Sequence, residues 1–129
     1  KNKNKYFYAD SFGSKKLYNL VAHSKFVIGN SSSGLIEVPY FRVPTINIGD
    51  RQKGRVRHES IIDTNYTTKS ISNGIEKALS NQFRENIKNM EFKFGNGTSA
   101  KKITRLIENI SIEQTLLRKE LSFKKVLSD

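Results

Sequence analysis

The sequence predicts an α/β domain built on a parallel sheet covered by helices on both faces. Three observations carry that prediction. Short β-branched runs recur between helical stretches, at Phe26 to Ile28, Thr45 to Ile48 and Ser60 to Ile62, as the strands of a parallel sheet covered on both faces do. Stretches with apolar residues three and four apart lie between and after them. The run ending at Ile28 empties into Gly29, Asn30, three serines and Gly34, a turn that leads a helix.

Tyr6 to Ala9 reads as a first short strand, followed by a turn through Asp10 to Gly13. Ser14 is the expected cap of a helix with Leu17, Leu20, Val21 and Ser24 on one side. The second strand, Phe26 to Ile28, precedes a helix of two or three turns that starts near Ser32. Pro39 should end or kink that helix, because proline lacks a backbone donor and restricts Val38 before it. Pro44 sets up entry to the third strand, Thr45 to Ile48, and Ser60 to Ile62 forms a fourth. Thr67 or Thr68 caps a helix with Ile71, Ile75, Ala78 and Leu79 on one face. A looser polar stretch from Asn81 to Asn96 follows, then a Gly95-Asn96-Gly97 turn. Ser99 is the candidate cap of an amphipathic helix carrying Ile103, Leu106, Ile107 and Ile110. Ile112, Leu116, Leu117, Leu121 and Phe123 mark a terminal helical tail. The aromatics Phe7, Tyr8, Phe12, Tyr18 and Phe26 cluster early and are expected in the core. The whole reads as a Rossmann-like parallel sheet with flanking helices.

Composition bounds the function. At 129 residues the chain is one domain at most. It opens on Lys1 with no initiator Met and reads as a piece of a longer chain. It has no Cys, hence neither a disulfide framework nor thiolate chemistry. No apolar run approaches the roughly 20 residues of a membrane span, and the N-terminus carries no signal-peptide apolar region; a soluble cytoplasmic protein without a membrane partner is the expectation. The net charge of +11 comes from 23 Lys and Arg against 12 Asp and Glu. Five cations, Arg42, Arg51, Lys53, Arg55 and Arg57, stand against Asp50 alone between Arg42 and Arg57. That cluster suggests phosphate, whereas the scattered remainder reads as a solvated face. His23 and His58 are isolated, with no ligand at metal spacing, and are expected to be structural or exposed.

The serine turn has a chemical logic. Backbone N–H groups without intrahelical partners at Asn30 to Gly34, with the Ser31 and Ser32 hydroxyls beside them, suit phosphate oxygens. Glu37 lies five residues on, roughly 7 to 8 Å along a helix at about 1.5 Å per residue. A nucleotide diphosphate spans that gap. A carboxylate accepts from both hydroxyls of a ribose diol and would repel a phosphate. Arg51, at the C-terminal end of the third strand, arrives at the edge where open parallel sheets collect ligands. Phe12, in the loop after the first strand, is placed to lie beside a base. Plain capping by a serine-glycine turn, a solvated Glu37 and an ordinary basic loop are the bland readings of the same residues.

Residues 29–37, Gly-Asn-Ser-Ser-Ser-Gly-Leu-Ile-Glu, with residues 44–55, Pro-Thr-Ile-Asn-Ile-Gly-Asp-Arg-Gln-Lys-Gly-Arg, closely resemble the C-terminal domain of the UDP-N-acetylglucosamine 2-epimerases. The Arg-Gln-Lys-Gly-Arg continuation favours the hydrolysing branch, which releases UDP and N-acetylmannosamine for sialic acid-type sugars. Leu20 to Ser24 and Gly95 to Ser99 agree as well, so the likeness runs from about Tyr6 to Ile110. The tail from Ser111 to Asp129 has no counterpart in it.

The resemblance implies that Ser31 and Ser32 contact the UDP phosphates, Glu37 holds the ribose and Arg51 also binds the nucleotide. It implies a two-domain glycosyltransferase-B type fold, of which residues 1–110 form part of the C-terminal, UDP-binding domain and 111–129 a tail. UDP and UDP-N-acetylglucosamine are then the ligands, with the N-terminal half of the same enzyme and a second copy as partners, and no cofactor, metal or nucleic acid. The acid and base groups belong to segments absent here, so the 129 residues alone are expected to be inactive. Two alternatives stand beside this: a glycosyltransferase of the same fold using a UDP-sugar, and a basic nucleic-acid-binding module suggested by charge alone.

Overall fold

The computed structural model describes residues 6–111. They fall into two compact units, one ending at Phe94 and the other beginning at Gly95. The first contains, in order, α1 (Gly13–Ala22), β1 (Val27–Gly29), α2 (Ser33–Ile36), a 3-10 turn (Val38–Phe41), β2 (Thr45–Ile48), β3 (Ile61–Thr64), α3 (Thr68–Leu79) and α4 (Asn81–Lys88). The second holds α5 (Ser99–Asn109), along which Ile103, Leu106 and Ile107 recur at helical spacing.

The three strands form one parallel sheet in the order β1-β2-β3. Val27 aligns with Thr45 and Ile61, and Ile28 with Ile46 and Ile62. Because side chains alternate across a strand, this register sorts the sheet into two faces. Ile46 and Ile62 pack with Ala78 of α3, with Phe26, Ile75 and Phe83 around them. On the opposite face Val27 packs against Val21, Val38 and Val43, joined by Leu17 and Phe41. Both faces are covered, as a parallel sheet flanked by helices requires.

Two small residues set how close the helices come. A Cβ on Gly74 of α3 would fall 2.8 Å from Thr64 Cγ2 and 3.3 Å from Ile46 Cγ2. On the other face a Cβ on Gly34 would fall 2.8 Å from Thr45 Cγ2, and the buried Thr45 hydroxyl donates to the Gly34 carbonyl at 2.8 Å. The serine-led helix is thereby seated on the central strand.

Several expectations hold. The Thr67 hydroxyl caps α3 by accepting from the Ser70 N–H at 3.3 Å. The helix ends ahead of Pro39 as expected, but it is shorter than the two or three turns predicted: α2 is four residues, about one turn, and a 3-10 turn from Val38, with Pro39 in its first turn, takes the place of further helix. Pro44 does lead into β2, and its carbonyl accepts from Val27 N–H at 2.8 Å.

Others are corrected. Tyr6 to Ala9 is not a strand: a strand exists only by pairing, and these residues join no ladder with the described strands. Tyr6, Phe7 and Tyr8 are 86%, 96% and 83% exposed, and Phe12 and Tyr18 are also exposed, so of the early aromatics Phe26 alone packs into a core cluster. Ser14 caps nothing; α1 starts at Gly13 after Phe12, without a side-chain cap. Likewise Thr98, not Ser99, precedes α5, again with no capping hydroxyl. The stretch beginning at Asn81 is helical to Lys88 because Ser80 caps it, its hydroxyl accepting from Phe83 N–H at 3.3 Å, while Phe83 and the buried Ile87 share one face. The tail expected to be helical, from Ile112 onward, lies outside the described residues.

Candidate functional site

In a parallel sheet all strands run the same way, so the loops leaving β1, β2 and β3 emerge at one edge. The loop after β1 is the serine turn. Ser31 is exposed and Ser32 half-buried. Ser32 stands at the N-cap of α2, but its side chain makes no capping bond, while the Ser31 hydroxyl accepts from Ser33 N–H at 3.3 Å. Among the described residues no acceptor pairs with the N–H of Ser31 or Ser32. Beside the turn a cavity of about 180 Å³ is walled by Gly29, Ser31 and Gly34 on one side and by Leu17 and Val21 of α1 on another.

Glu37 follows α2 directly. The Ser33 hydroxyl donates to its Oε2 from one turn back, which draws the carboxylate toward the serine end of the helix and leaves its other oxygen available. Glu37 also borders an aromatic-lined hollow with Tyr18, Tyr40 and Phe41.

The loop after β2 carries the cations. Gly49 turns it at φ 78°, and a Cβ there would collide with the Tyr66 hydroxyl, which reaches Asp50 at 3.2 Å. Arg51 is exposed. Its neighbour Gln52 is only 3% exposed, and its Nε2 donates to the Asn30 carbonyl of the serine turn at 2.7 Å. Farther on, Arg57 closes the loop by donating to the carbonyls of Gln52 at 2.9 Å and Arg55 at 3.2 Å. Its Nε lies 3.1 Å from Asp63 Oδ2 on β3, and Asp63 Oδ1 accepts from the buried Asn47 amide at 2.6 Å.

His58 anchors the end of this loop. It is 3% exposed, accepts at Nε2 from Lys93 N–H at 3.0 Å, and stacks on Phe92 with centroids 5.2 Å apart. Burial, then the Lys93 charge, pushes its pKa below the ordinary 6.5, so the imidazole is a structural acceptor. Lys93 Nζ also donates to the Arg57 carbonyl at 2.6 Å. His23, the other histidine, is exposed and its Nδ1 lies 2.8 Å from the Asn19 carbonyl. Among the described residues no group of three or more His, Asp or Glu could hold a metal, and no helix is long and apolar enough to cross a membrane.

Of the residues singled out by sequence, Asn30, Ser31, Ser32, Gly34 and Glu37 lie on one continuous segment, and Gln52 links that segment to the loop bearing Arg51. Gly34 has a packing reason for being glycine, its close approach to Thr45. Phe12 lines a separate open hollow of about 590 Å³ with Phe7, Leu20 and His23, none of them from the serine turn. Gln52 was missed. Its one signal is alternation: Arg51, Lys53, Arg55 and Arg57 carry charge and the residues between them do not.

Comparison with known proteins matches residues 1–108 to the family model of UDP-N-acetylglucosamine 2-epimerase. The chain belongs to this epimerase family. It is 45% identical over 86 residues to the GDP/UDP-N,N'-diacetylbacillosamine 2-epimerase (hydrolyzing) of Campylobacter jejuni, a match covering 67% of this chain and 22% of that one. It is 48% identical over 61 residues to the UDP-N-acetylglucosamine 2-epimerase of Neisseria meningitidis, covering 47% of this chain and 16% of the relative. Against the Polysialic acid biosynthesis protein P7 of Escherichia coli, 48% identity extends over 79 residues, 61% and 20% of the two chains. The chain thus spans about a fifth of the length of the relatives it matches. Within this epimerase family segment, the α/β parallel sheet and the two loops at its edge are what the residues supply.

Proposed function

We propose that this segment is the UDP-binding part of a hydrolysing UDP-N-acetylglucosamine 2-epimerase. The observation that carries the reading is the arrangement around α2: at its start the Ser31 and Ser32 N–H groups, without partners among the described residues, beside two serine hydroxyls, and at its end a carboxylate turned back toward them by Ser33. Ser31 and Ser32 hold the diphosphate, Glu37 accepts from the ribose hydroxyls, and Arg51 neutralises phosphate charge from the adjacent loop. Each pairing has the right chemical sense: cation and N–H to phosphate, carboxylate to diol.

In the intact enzyme a base removes the C2 proton of the sugar and UDP departs, leaving a glycal-like intermediate to which water adds, giving N-acetylmannosamine. This segment supports that sequence by gripping the leaving group: donors aimed at the diphosphate stabilise the charge that grows as the glycosidic bond breaks. The groups that move protons lie outside it, and the 129 residues alone are inactive because reacting atoms must be flanked on both sides. The bacillosamine named in the Campylobacter relative makes a C4-modified UDP-sugar the alternative substrate. The test assays the intact protein for UDP and free N-acetylmannosamine from UDP-N-acetylglucosamine. Release of both is expected. Sugar transfer to an acceptor, with no free N-acetylmannosamine, overturns the hydrolysing reading in favour of a glycosyltransferase.

A further inference from the structure

Gln52 sits between two exposed cations, Arg51 and Lys53, yet is 3% exposed itself. Its carboxamide crosses 22 residues of sequence to reach the Asn30 carbonyl at 2.7 Å. Its Oε1 is buried and has no partner among the described residues. A buried amide left half-satisfied costs stability, so the side chain is not there for its own hydrogen-bond balance. What it does is hold one carbonyl. A trans peptide is planar with its C=O and N–H pointing opposite ways. Fixing the Asn30 carbonyl on Gln52 therefore aims the next N–H, that of Ser31, away from Gln52, where no acceptor among the described residues receives it. The Gln52 backbone is held in turn, since its carbonyl accepts from Arg57 Nη1 at 2.9 Å and Arg57 is braced on Asp63.

We propose that Gln52 is a positioning residue for the nucleotide diphosphate: its amide orients the Asn30–Ser31 peptide so that Ser31 N–H faces the phosphate, and it keeps Arg51 in register with the serine turn. This rests on the UDP-binding reading above. Gln52 acts through Asn30, not by touching the ligand. Its removal should cost affinity for the diphosphate while sparing the nucleoside, whose ribose is held by Glu37.

The test uses the intact enzyme and measures affinity for UDP and for uridine by calorimetry, together with the melting temperature of the ligand-free protein. Gln52→Met keeps the volume and removes both the donor and the orphaned oxygen. Gln52→Asn keeps the amide but shortens its reach by one methylene. The expected result is UDP binding weaker by about tenfold in each variant, the scale of a hydrogen bond to a charged ligand. Uridine affinity and melting temperature should hold in Gln52→Met. Ser32→Ala and Arg51→Ala run alongside. If either weakens UDP while both Gln52 variants bind as the wild type does, the positioning role is overturned and the nucleotide site stands. If Ser32→Ala and Arg51→Ala also leave UDP affinity unchanged, the nucleotide reading falls and the role of Gln52 falls with it. Equal losses for UDP and uridine overturn the proposal as well, because they mark a general structural defect.

Discussion

The two loops at the sheet edge solve opposite problems. The turn after β1 is short, built of small residues, and leaves the Ser31 and Ser32 N–H groups without partners among the described residues. The loop after β2 is long and tied down: Gln52 reaches the first loop, Arg57 grips two carbonyls, and His58 fixes its end through Lys93. An open binding turn need not be a loose one. Its own residues stay available because a neighbouring loop supplies the restraint, and because α2 is pressed against β2 from behind. Each of these supports can be broken separately.

The largest effect is expected at the seat of α2. Gly34 lies against the buried Thr45, whose hydroxyl is committed to the Gly34 carbonyl, so the threonine has no easy way to yield. Gly34→Val should destabilise the protein by about 3 kcal/mol, the upper range for overpacking, read as a lowered denaturant midpoint. An unchanged midpoint would mean that the glycine serves the ligand alone. Next come the ligand contacts. Ser32→Ala and Arg51→Ala in the intact enzyme should each weaken UDP by about 1 to 3 kcal/mol, with little change in melting temperature, since neither side chain holds either loop in place through a hydrogen bond among the described residues; full UDP affinity in both would remove the site assignment.

Much of this contrast was legible in sequence, and the remainder shows why some was not. The strands were visible as short β-branched segments such as β2, where Thr45, Ile46 and Ile48 are β-branched and Thr45, Ile46 and Asn47 are all buried. The Thr67 cap was visible because capping is local. Tyr6 to Ala9 looked like a strand for the same compositional reason, yet strand formation depends on a neighbour that composition does not reveal. Helix α4 was hidden by its polarity: only Phe83 and Ile87 of its eight residues are apolar. Ser31, Ser32, Glu37 and Arg51 could be picked out because their chemistry is in their side chains. Gln52 could not, since its partner is a backbone carbonyl 22 positions away, and a carbonyl carries no mark in the sequence.

The anchoring of the second loop gives a pH signature. His58 has its pKa lowered by burial and by Lys93, so the folded protein favours the neutral ring. Above the unfolded value of 6.5 both states are neutral and the Lys93 bond is fully available. As pH falls below it the unfolded chain takes up the proton first, and stability declines until the folded pKa is reached. The acid limb of the stability curve should therefore begin near pH 6.5, and His58→Gln, which can still accept from Lys93, should flatten that part of it. A curve of the same shape in both proteins would show that other groups govern the acid limb.

The smallest effect separates the two kinds of restraint on the second loop. Arg57 and Asp63 form its one ion pair with the strand below among the described residues, but their side chains are 31% and 54% exposed, so water and salt screen the attraction. Gln52 acts from a buried position, where its bond to the Asn30 carbonyl at 2.7 Å is shielded from water and its loss is expected in UDP affinity. Asp63→Asn removes the charge while keeping an oxygen for the Asn47 amide that now donates to Asp63 at 2.6 Å. It should cost less than about 1 kcal/mol, shrink further in high salt, and leave UDP affinity within about twofold of wild type. A loss as large as that of Gln52→Met would reverse the ranking and make the surface pair, rather than the buried amide, the element that holds the binding turn in shape.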